Sequence, residues 1–366
     1  MILRRSAYRG CLLGLAIGDA MGYPVDTKDL SQIRTDYGPN GLLGYDLVNG
    51  YADITSHTQL ACFSANGLLL GMTRGQVYGR MGPYVRYCHV AQMEWAAGQR
   101  RYDQPSRNHC WTFLIPEFRR RHCTDTRMVE ILNRKQFGTL ETPVNAFDNP
   151  ASISSAVAAA LFASTVKLDQ EEADRLGAES IALTYGSPLA FLPGAVVTHL
   201  ISKSLRQPQI PLLQLVEEAI VSLDDQFGQQ YRQTAQVIAL IRQAVALSKD
   251  FSILPTDAME KLHCDSGAEV LAGALYAALI YEKDFDSAMI VAVNHSGRSA
   301  AVGAVAGAIL GARLGEENLP DFYLEGLEVL PVIRSLADDL YQGCPMTKRG
   351  GLYDVDWDRK YLHGGR

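Results

Sequence analysis

What is missing from this chain rules out several function classes before any motif is considered. The uncharged stretch Ser299–Ala312 is closed off by Arg298 and Arg313. It falls short of the ~20 apolar residues that a bilayer-spanning helix needs, so no membrane role is expected. The apolar run Cys11–Ile17 sits between Arg9 and Asp19. That is the short limit for a secretory leader core, so the expectation is a soluble cytoplasmic protein. There is no excess of basic residues: 34 Lys and Arg face 40 Asp and Glu, a net charge of −6. Nucleic acid is therefore not a default partner. No C-x-x-C pair occurs, and the seven cysteines (Cys11, Cys62, Cys88, Cys110, Cys123, Cys264, Cys344) are scattered and odd in number. That pattern suits reduced thiols better than a disulfide framework. Nucleophile-elbow, Walker, H-E-x-x-H and Rossmann patterns are all absent.

Strand signals are missing too. No long apolar–polar alternation, βαβ rhythm or 20–50-residue repeat is visible. What the chain has instead is helical periodicity with small residues at the seams. In Val293–Gly315 (VNHSGRSAAVGAVAGAILGARLG) a polar turn, Asn294–Ser299, leads into an uncharged segment with Gly303, Gly307, Gly311 and Gly315 spaced four apart. On a helix these glycines fall on one stripe, where a neighbouring backbone can approach closely. Each interior glycine costs about 1 kcal/mol relative to alanine, so the row requires a packing reason. The helix is expected to be central, with the free N–H groups of its first turn available to a ligand.

The remaining chain reads as many helices of 10–16 residues and predicts one all-α domain over residues 1–347, with 348–366 as a polar, aromatic tail packed on or near its surface. The opening predicts a short buried helix that breaks at Gly18–Gly22. Residues 27–54 read as a long turn-rich loop. Thr55 or Ser56 is a plausible N-cap for an apolar helix over Gln59–Met72. Further helices are expected around Tyr84–Gly98, Thr126–Leu132, Leu189–Leu205, Leu212–Leu223, Gln233–Leu247, Ala268–Tyr281, Asp286–Val293 and Glu328–Tyr341. The basic run Arg119–His122 reads as a solvated helix end.

Three segments together resemble the ADP-ribosylglycohydrolase family. Gly10–Asp26 (GCLLGLAIGDAMGYPVD) is close to that family's G-x-x-x-G-x-x-x-GDA-x-G-x-P-x-E pattern. Ile54–Leu69 stands where the family has [ST]DDT opening a helix. Val293–Gly315 stands where it has GD-x-D-[ST] before a glycine-rich helix. A weaker match, Ala182–Leu192, is similar to its ALTH-x-HP segment. The resemblance implies an all-α fold and, for the family, two Mg²⁺ or Mn²⁺ ions between the second and third segments, cleaving at the anomeric carbon of an ADP-ribosyl group. Hard dications want carboxylate oxygens.

Residue by residue, Thr55 matches the first hydroxyl ligand, but the family's aspartates fall on Ser56, His57, Arg298 and Ala300, and its second hydroxyl ligand on Ala301. Asp26 replaces the closing glutamate. Tyr185 and Ser187 stand at the two histidines, and Ser155 and Ala158 at the Arg and Pro of a central M-R-x-x-P segment. No metal or other cofactor is expected here. Around the old cleft we expect Asp19, Asp26, Thr55, Ser56, His57, Asn145, Tyr185, Ser187, Gly297, Arg298 and Ser299. Asp19 should bond loop N–H groups after the first helix, and Asp26 should pair with Arg298. Arg298 itself reads as a salt bridge filling the vacated pocket or as a phosphate clamp. Asn294 and His295 read as fixing the loop, and Asn145 and Asn149 as ordinary loop residues.

Three readings follow. One is an ADP-ribosylglycohydrolase-like pseudoenzyme that binds ADP-ribose, a nucleotide or a protein partner, for instance as antagonist or immunity partner of an ADP-ribosyltransferase. The second is a metal-independent hydrolase of an N- or O-glycosidic ADP-ribose bond, with Asp26 as acid or base and Arg298 stabilising charge. The third is a purely structural use of the fold.

Overall fold

Glycines at 10, 14, 18 and 22 share one stripe of a helix, and so do those at 303, 307 and 311. The computed structural model describes residues 3–79, 82–99, 108–122, 125–348 and 351–366, and it lays these two stripes against each other. A Cβ on Gly10, Gly14 or Gly18 would overlap the carbonyl of Gly311, Gly307 or Gly303 respectively, and the reverse substitutions would overlap in the same way. The pairing order is inverted, so the helices run antiparallel in backbone contact. This explains why the chain tolerates so much glycine inside helices.

Seventeen α-helices are present among the described residues. They are α1 (Arg5–Gly22), α2 (Leu30–Tyr37), α3 (Ser56–Tyr78), α4 (Tyr84–Gly98), α5 (Thr126–Asn133), α6 (Ser155–Val166), α7 (Gln170–Ala182), α8 (Pro188–Arg206) and α9 (Leu212–Phe227). After these come α10 (Thr234–Ser248), α11 (Pro255–Leu262), α12 (Gly267–Ile280), α13 (Phe285–Val293), α14 (Ser299–Leu314), α15 (Asp321–Glu325), α16 (Leu330–Gln342) and α17 (Val355–Leu362). No strand occurs among the described residues, only an isolated bridge between Val48 and Tyr51. The all-α architecture expected from the sequence is what the chain adopts. No helix of the described residues is long and apolar enough to cross a membrane. Cys123 lies outside the described residues.

The antiparallel pair α1 and α14 forms the axis. Helices α12 and α13 pack on α14, α16 packs on α1, and the group α3, α4, α6, α7 and α8 builds outward from there. Both axial helices are buried along nearly their whole length. Alanine and glycine dominate the seam, while the bulk comes from side chains such as Trp95, Tyr8, Phe162 and Phe191, all fully buried.

Several local expectations need correction. Helix α1 does not break at Gly18; it continues to Gly22, because those glycines serve the contact with α14 and not a turn. The 27–54 segment is not all loop, since α2 starts there at an Asp29 cap that accepts from Gln32 N–H. Helix α7 begins at a capping box formed by Asp169 and Glu172. The basic run begins in the last residue of a 3₁₀ turn, Glu117–Arg119, and two of its members are engaged: Arg120 pairs with Asp53 at 3.0 Å and Glu328 at 2.8 Å, and the His122 ring stacks on Tyr23. The final segment contains α17, whose Trp357 and Tyr361 are buried; the Trp357 indole donates to Thr73 Oγ1 of α3 at 2.9 Å.

Candidate functional site

Because α1 and α14 are antiparallel, the C-terminal end of α1 arrives at the N-terminal end of α14, where a Cβ on Gly22 would overlap Ser299 and Ala300. The same end of α1 holds α3. The Asp19 carboxylate accepts from Thr55 N–H at 2.9 Å, Thr55 Oγ1 at 2.5 Å, Thr58 N–H at 3.0 Å and Thr58 Oγ1 at 2.6 Å. The N-termini of α3 and α14 thus meet over the last turn of α1, and α14 touches α3 directly. Asp19 bonds the start of α3 and not a loop following its own helix. Thr55 is the N-cap, its Oγ1 also accepting from His57 N–H at 3.2 Å.

Asp26, beyond the 3₁₀ turn Tyr23–Val25, does for α14 part of what Asp19 does for α3. Its Oδ1 accepts from Ala300 N–H at 3.2 Å, at the positive end of the helix dipole. Burial pushes its pKa up to about 6, against the opposing pull of that N–H group and of Arg298. The expected Asp26–Arg298 ion pair does not form. Arg298 Nε donates instead to Asp265 Oδ1 at 2.9 Å, an exposed carboxylate that no motif in the chain singles out.

The other positions at this junction are neutral and closed in. Ser56, His57, Ser299, Ala300 and Ala301 are each at most 2% exposed. Ser56 Oγ, His57 Nδ1 and Ser299 Oγ have no hydrogen-bond partner among the described residues. Desolvation, reinforced by Arg298 and opposed by Asp19, lowers the His57 pKa, so the imidazole is neutral. Among the described residues no three His, Cys, Asp or Glu side chains are arranged to hold a metal ion. The stacked Tyr23 and His122 rings are also tied to this region, since Ser56 N–H donates to the His122 carbonyl and His122 Nδ1 bonds the Ile54 carbonyl at 2.9 Å.

Gly297 and Arg298 also line a cavity of about 520 Å³, together with Lys28, Asp29, His263, Asp265 and Glu269. A side chain at Gly297 would run into the carbonyls of His263 and Cys264, and its own carbonyl accepts from Thr27 N–H. Behind the turn, Asn294 bonds Leu42 through both amide atoms, and His295 Nε2 meets the Ala292 carbonyl at 3.0 Å.

Asn145, Tyr185 and Ser187 form a second group. Asn145 donates to the Thr184 carbonyl and accepts from Phe147 and Gly186 N–H groups. Ser187 caps α8 by accepting from Leu189 N–H. Tyr185 is fully buried, with its hydroxyl bonded to Asp125. Asn149 accepts from Ala151 N–H.

These features define an all-α domain whose candidate site sits where two helix N-termini converge on the end of a third. Residues 2–350 match the ADP-ribosylglycohydrolase family, and the chain belongs to it. A solved structure described as an ADP-ribosylglycohydrolase-related protein complex is similar with a TM-score of 0.57 at 21% identity, covering 92% of this chain and 98% of that one. At that identity the likeness concerns the fold. No curated protein sequence matches.

Proposed function

We propose that this chain is a binding member of the ADP-ribosylglycohydrolase family that does not use the family's dinuclear metal chemistry. The observation that carries the reading is the donor set at the junction of α3 and α14. Two adjacent dications require several carboxylate oxygens. The positions that match the family's aspartates here offer a hydroxyl, a neutral imidazole, a guanidinium and a methyl group. Asp19 is the one carboxylate shared with the family pattern, and its oxygens are already taken by four protein donors. A guanidinium repels a metal cation. The orphaned Ser56, His57 and Ser299 atoms are suited to bound water.

The ligand this reading favours is an ADP-ribose-like molecule held by its phosphates. Arg298 stands at the N-terminus of α14 with only its Nε bonded, so its terminal N–H groups have no protein acceptor among the described residues. Beside it lies a polar cavity in the size range of ligand sites. Isothermal titration with ADP-ribose and, separately, with Mg²⁺ tests both halves. Saturable ADP-ribose binding that Arg298→Ala weakens at least tenfold is expected, with no magnesium site. Tight magnesium uptake would overturn the metal-free half, and absence of any ADP-ribose heat would overturn the other. A protein partner seated over the same cavity, such as an ADP-ribosyltransferase opposed by this chain, is a further version of the binding reading.

A second reading has its own support. A carboxyl pushed up to about 6 is poised for proton transfer near neutral pH, and Asp26 is such a group. It would act as acid or base in a metal-independent cleavage of an ADP-ribosyl bond. Release of ADP-ribose from modified protein in EDTA, lost in Asp26→Asn, is what that reading requires.

A further inference from the structure

Away from the α3–α14 junction, the α7–α8–α9 face holds a buried carboxylate–imidazole pair. His199 of α8 is 3% exposed, and its Nδ1 lies 2.7 Å from Asp174 Oδ2 of α7. Asp174 also accepts from Gln170 at 2.6 Å, Ser222 at 2.8 Å and Gln226 at 3.4 Å. With those donors converging on Asp174, its Oδ2 accepts from His199 Nδ1–H, and in the neutral imidazole the opposite nitrogen carries a lone pair. That nitrogen, Nε2, is buried with no donor to meet it. Leaving a buried polar atom without a partner is costly, and a ligand donor would remove that cost.

His199 lines a groove of about 640 Å³ between α7 and α9. Its rim is acidic: Glu171 comes from α7, and Glu217, Glu218 and Asp225 come from α9. Glu218 is neutralised by Lys203 at 3.3 Å, but Glu171, Glu217 and Asp225 have no ion-pair partner among the described residues. Along α9, residues 217 and 225 are just over two turns apart, about 12 Å at the helical rise. The groove therefore presents separated negative charges along its length and one unmet acceptor in its wall.

We infer that this groove binds a linear organic polycation, a polyamine-type chain of ammonium groups, with one N–H donated to His199 Nε2 and the remaining charges matched to Glu217, Asp225 and Glu171. A metal ion is disfavoured because no third ligand is arranged with His199 among the described residues. Alkylammonium groups separated by short methylene spacers match charges set a turn or two apart.

The test is isothermal titration of the full chain with spermidine at fixed ionic strength. One saturable site is expected in the wild type, weakened at least tenfold in His199→Asn. The exposed double variant Glu217→Gln/Asp225→Asn leaves the core untouched and is expected to lose at least tenfold as well, which keeps the test valid if His199→Asn fails to fold. In the wild type, spermidine should also shift the His199 Nε2 nitrogen resonance. Equal affinity in wild type and double variant, or absence of spermidine binding, would overturn the inference. So would an equal loss in Asp321→Asn/Glu325→Gln on α15, which would reduce the effect to general surface charge. Stoichiometric Zn²⁺ binding at His199 that spermidine fails to displace would replace the polycation by a metal.

Discussion

Asp19 and Thr55 are joined twice, through the Thr55 N–H at 2.9 Å and its hydroxyl at 2.5 Å. Thr58 adds two more bonds to the same carboxylate. One acid from the last turn of α1 thereby supplies the anion that the N-terminus of α3 needs. Asp19→Asn is isosteric but replaces one acceptor oxygen with a donor, setting N–H against N–H or O–H. We predict a loss of about 3 kcal/mol in urea unfolding. In a double-mutant cycle with Thr58→Val the losses should be less than additive, because both changes break the same bonds. Full additivity would mean Asp19 does not cap α3.

The glycine seam makes a sharper demand. Gly14→Ala and Gly307→Ala each place a methyl group inside the facing backbone, and each should cost about 3 kcal/mol despite alanine's better helix propensity. Gly44→Ala, with open space around it, should change stability by less than about 0.5 kcal/mol. Thermal melts followed by circular dichroism compare the three, and a Gly14→Ala protein that melts with the wild type would refute the close approach.

Two buried titratable groups give opposite pH dependences. Burial pushes His295 down from its ordinary 6.5 to about 4. The contribution of its neutral form is complete above 6.5 and is lost as pH falls through the window from 6.5 to 4. Burial raises Asp26 from 3.8 to about 6. Its contribution is complete below 3.8 and is lost as pH rises through 6. Asp26→Asn should therefore be more stable than the wild type at pH 8 by about 1–2 kcal/mol, a value discounted for partial exposure, with no advantage below pH 4. Denaturant midpoints at pH 4, 6 and 8 for wild type, Asp26→Asn and His295→Gln read both trends, and a flat difference between wild type and Asp26→Asn would disprove the second.

If the junction is metal-free because of its side chains alone, restoring acids should restore metal. The quadruple variant Ser56→Asp, His57→Asp, Arg298→Asp, Ala300→Asp returns carboxylates to the positions that match the family's aspartates. It should take up Mg²⁺ in titration calorimetry where the wild type does not, and Mg²⁺ should raise its melting temperature. A wild type that gains the same stabilisation from Mg²⁺ would remove the basis of the proposal.

The central helices were legible because their signal is periodic. The four-residue glycine spacing announced α14 as a close-packed element, and the Thr55 hydroxyl before an apolar run announced the start of α3. The partner of α14 was harder to see, since a spacing on one helix does not say which other helix meets it. Short polar helices escaped: α2 buries only Ile33, too little for a periodic pattern, and α17 depends on Trp357 and Tyr361 docking. The Asp169–Glu172 capping box at α7 is legible in the sequence as D-x-x-E, a signal local enough to place the helix start without knowledge of its packing. At the junction, residue identities could be placed, but pairings could not. Whether Arg298 meets Asp26 or Asp265 is decided by the path of the chain around 263–266, where His263 and Cys264 both have positive φ.

The Gly14–Gly307 contact joins positions nearly three hundred residues apart. Its closure entropy must be met before the seam returns any stabilisation, so the axis belongs to the slow, late part of folding. On the ribosome, the first helix emerges with its small-residue stripe bare and must wait for almost the entire chain before its mate exists. A nascent chain stalled before residue 299 is therefore expected to expose that stripe to proteases and chaperones, however well its middle helices have already assembled.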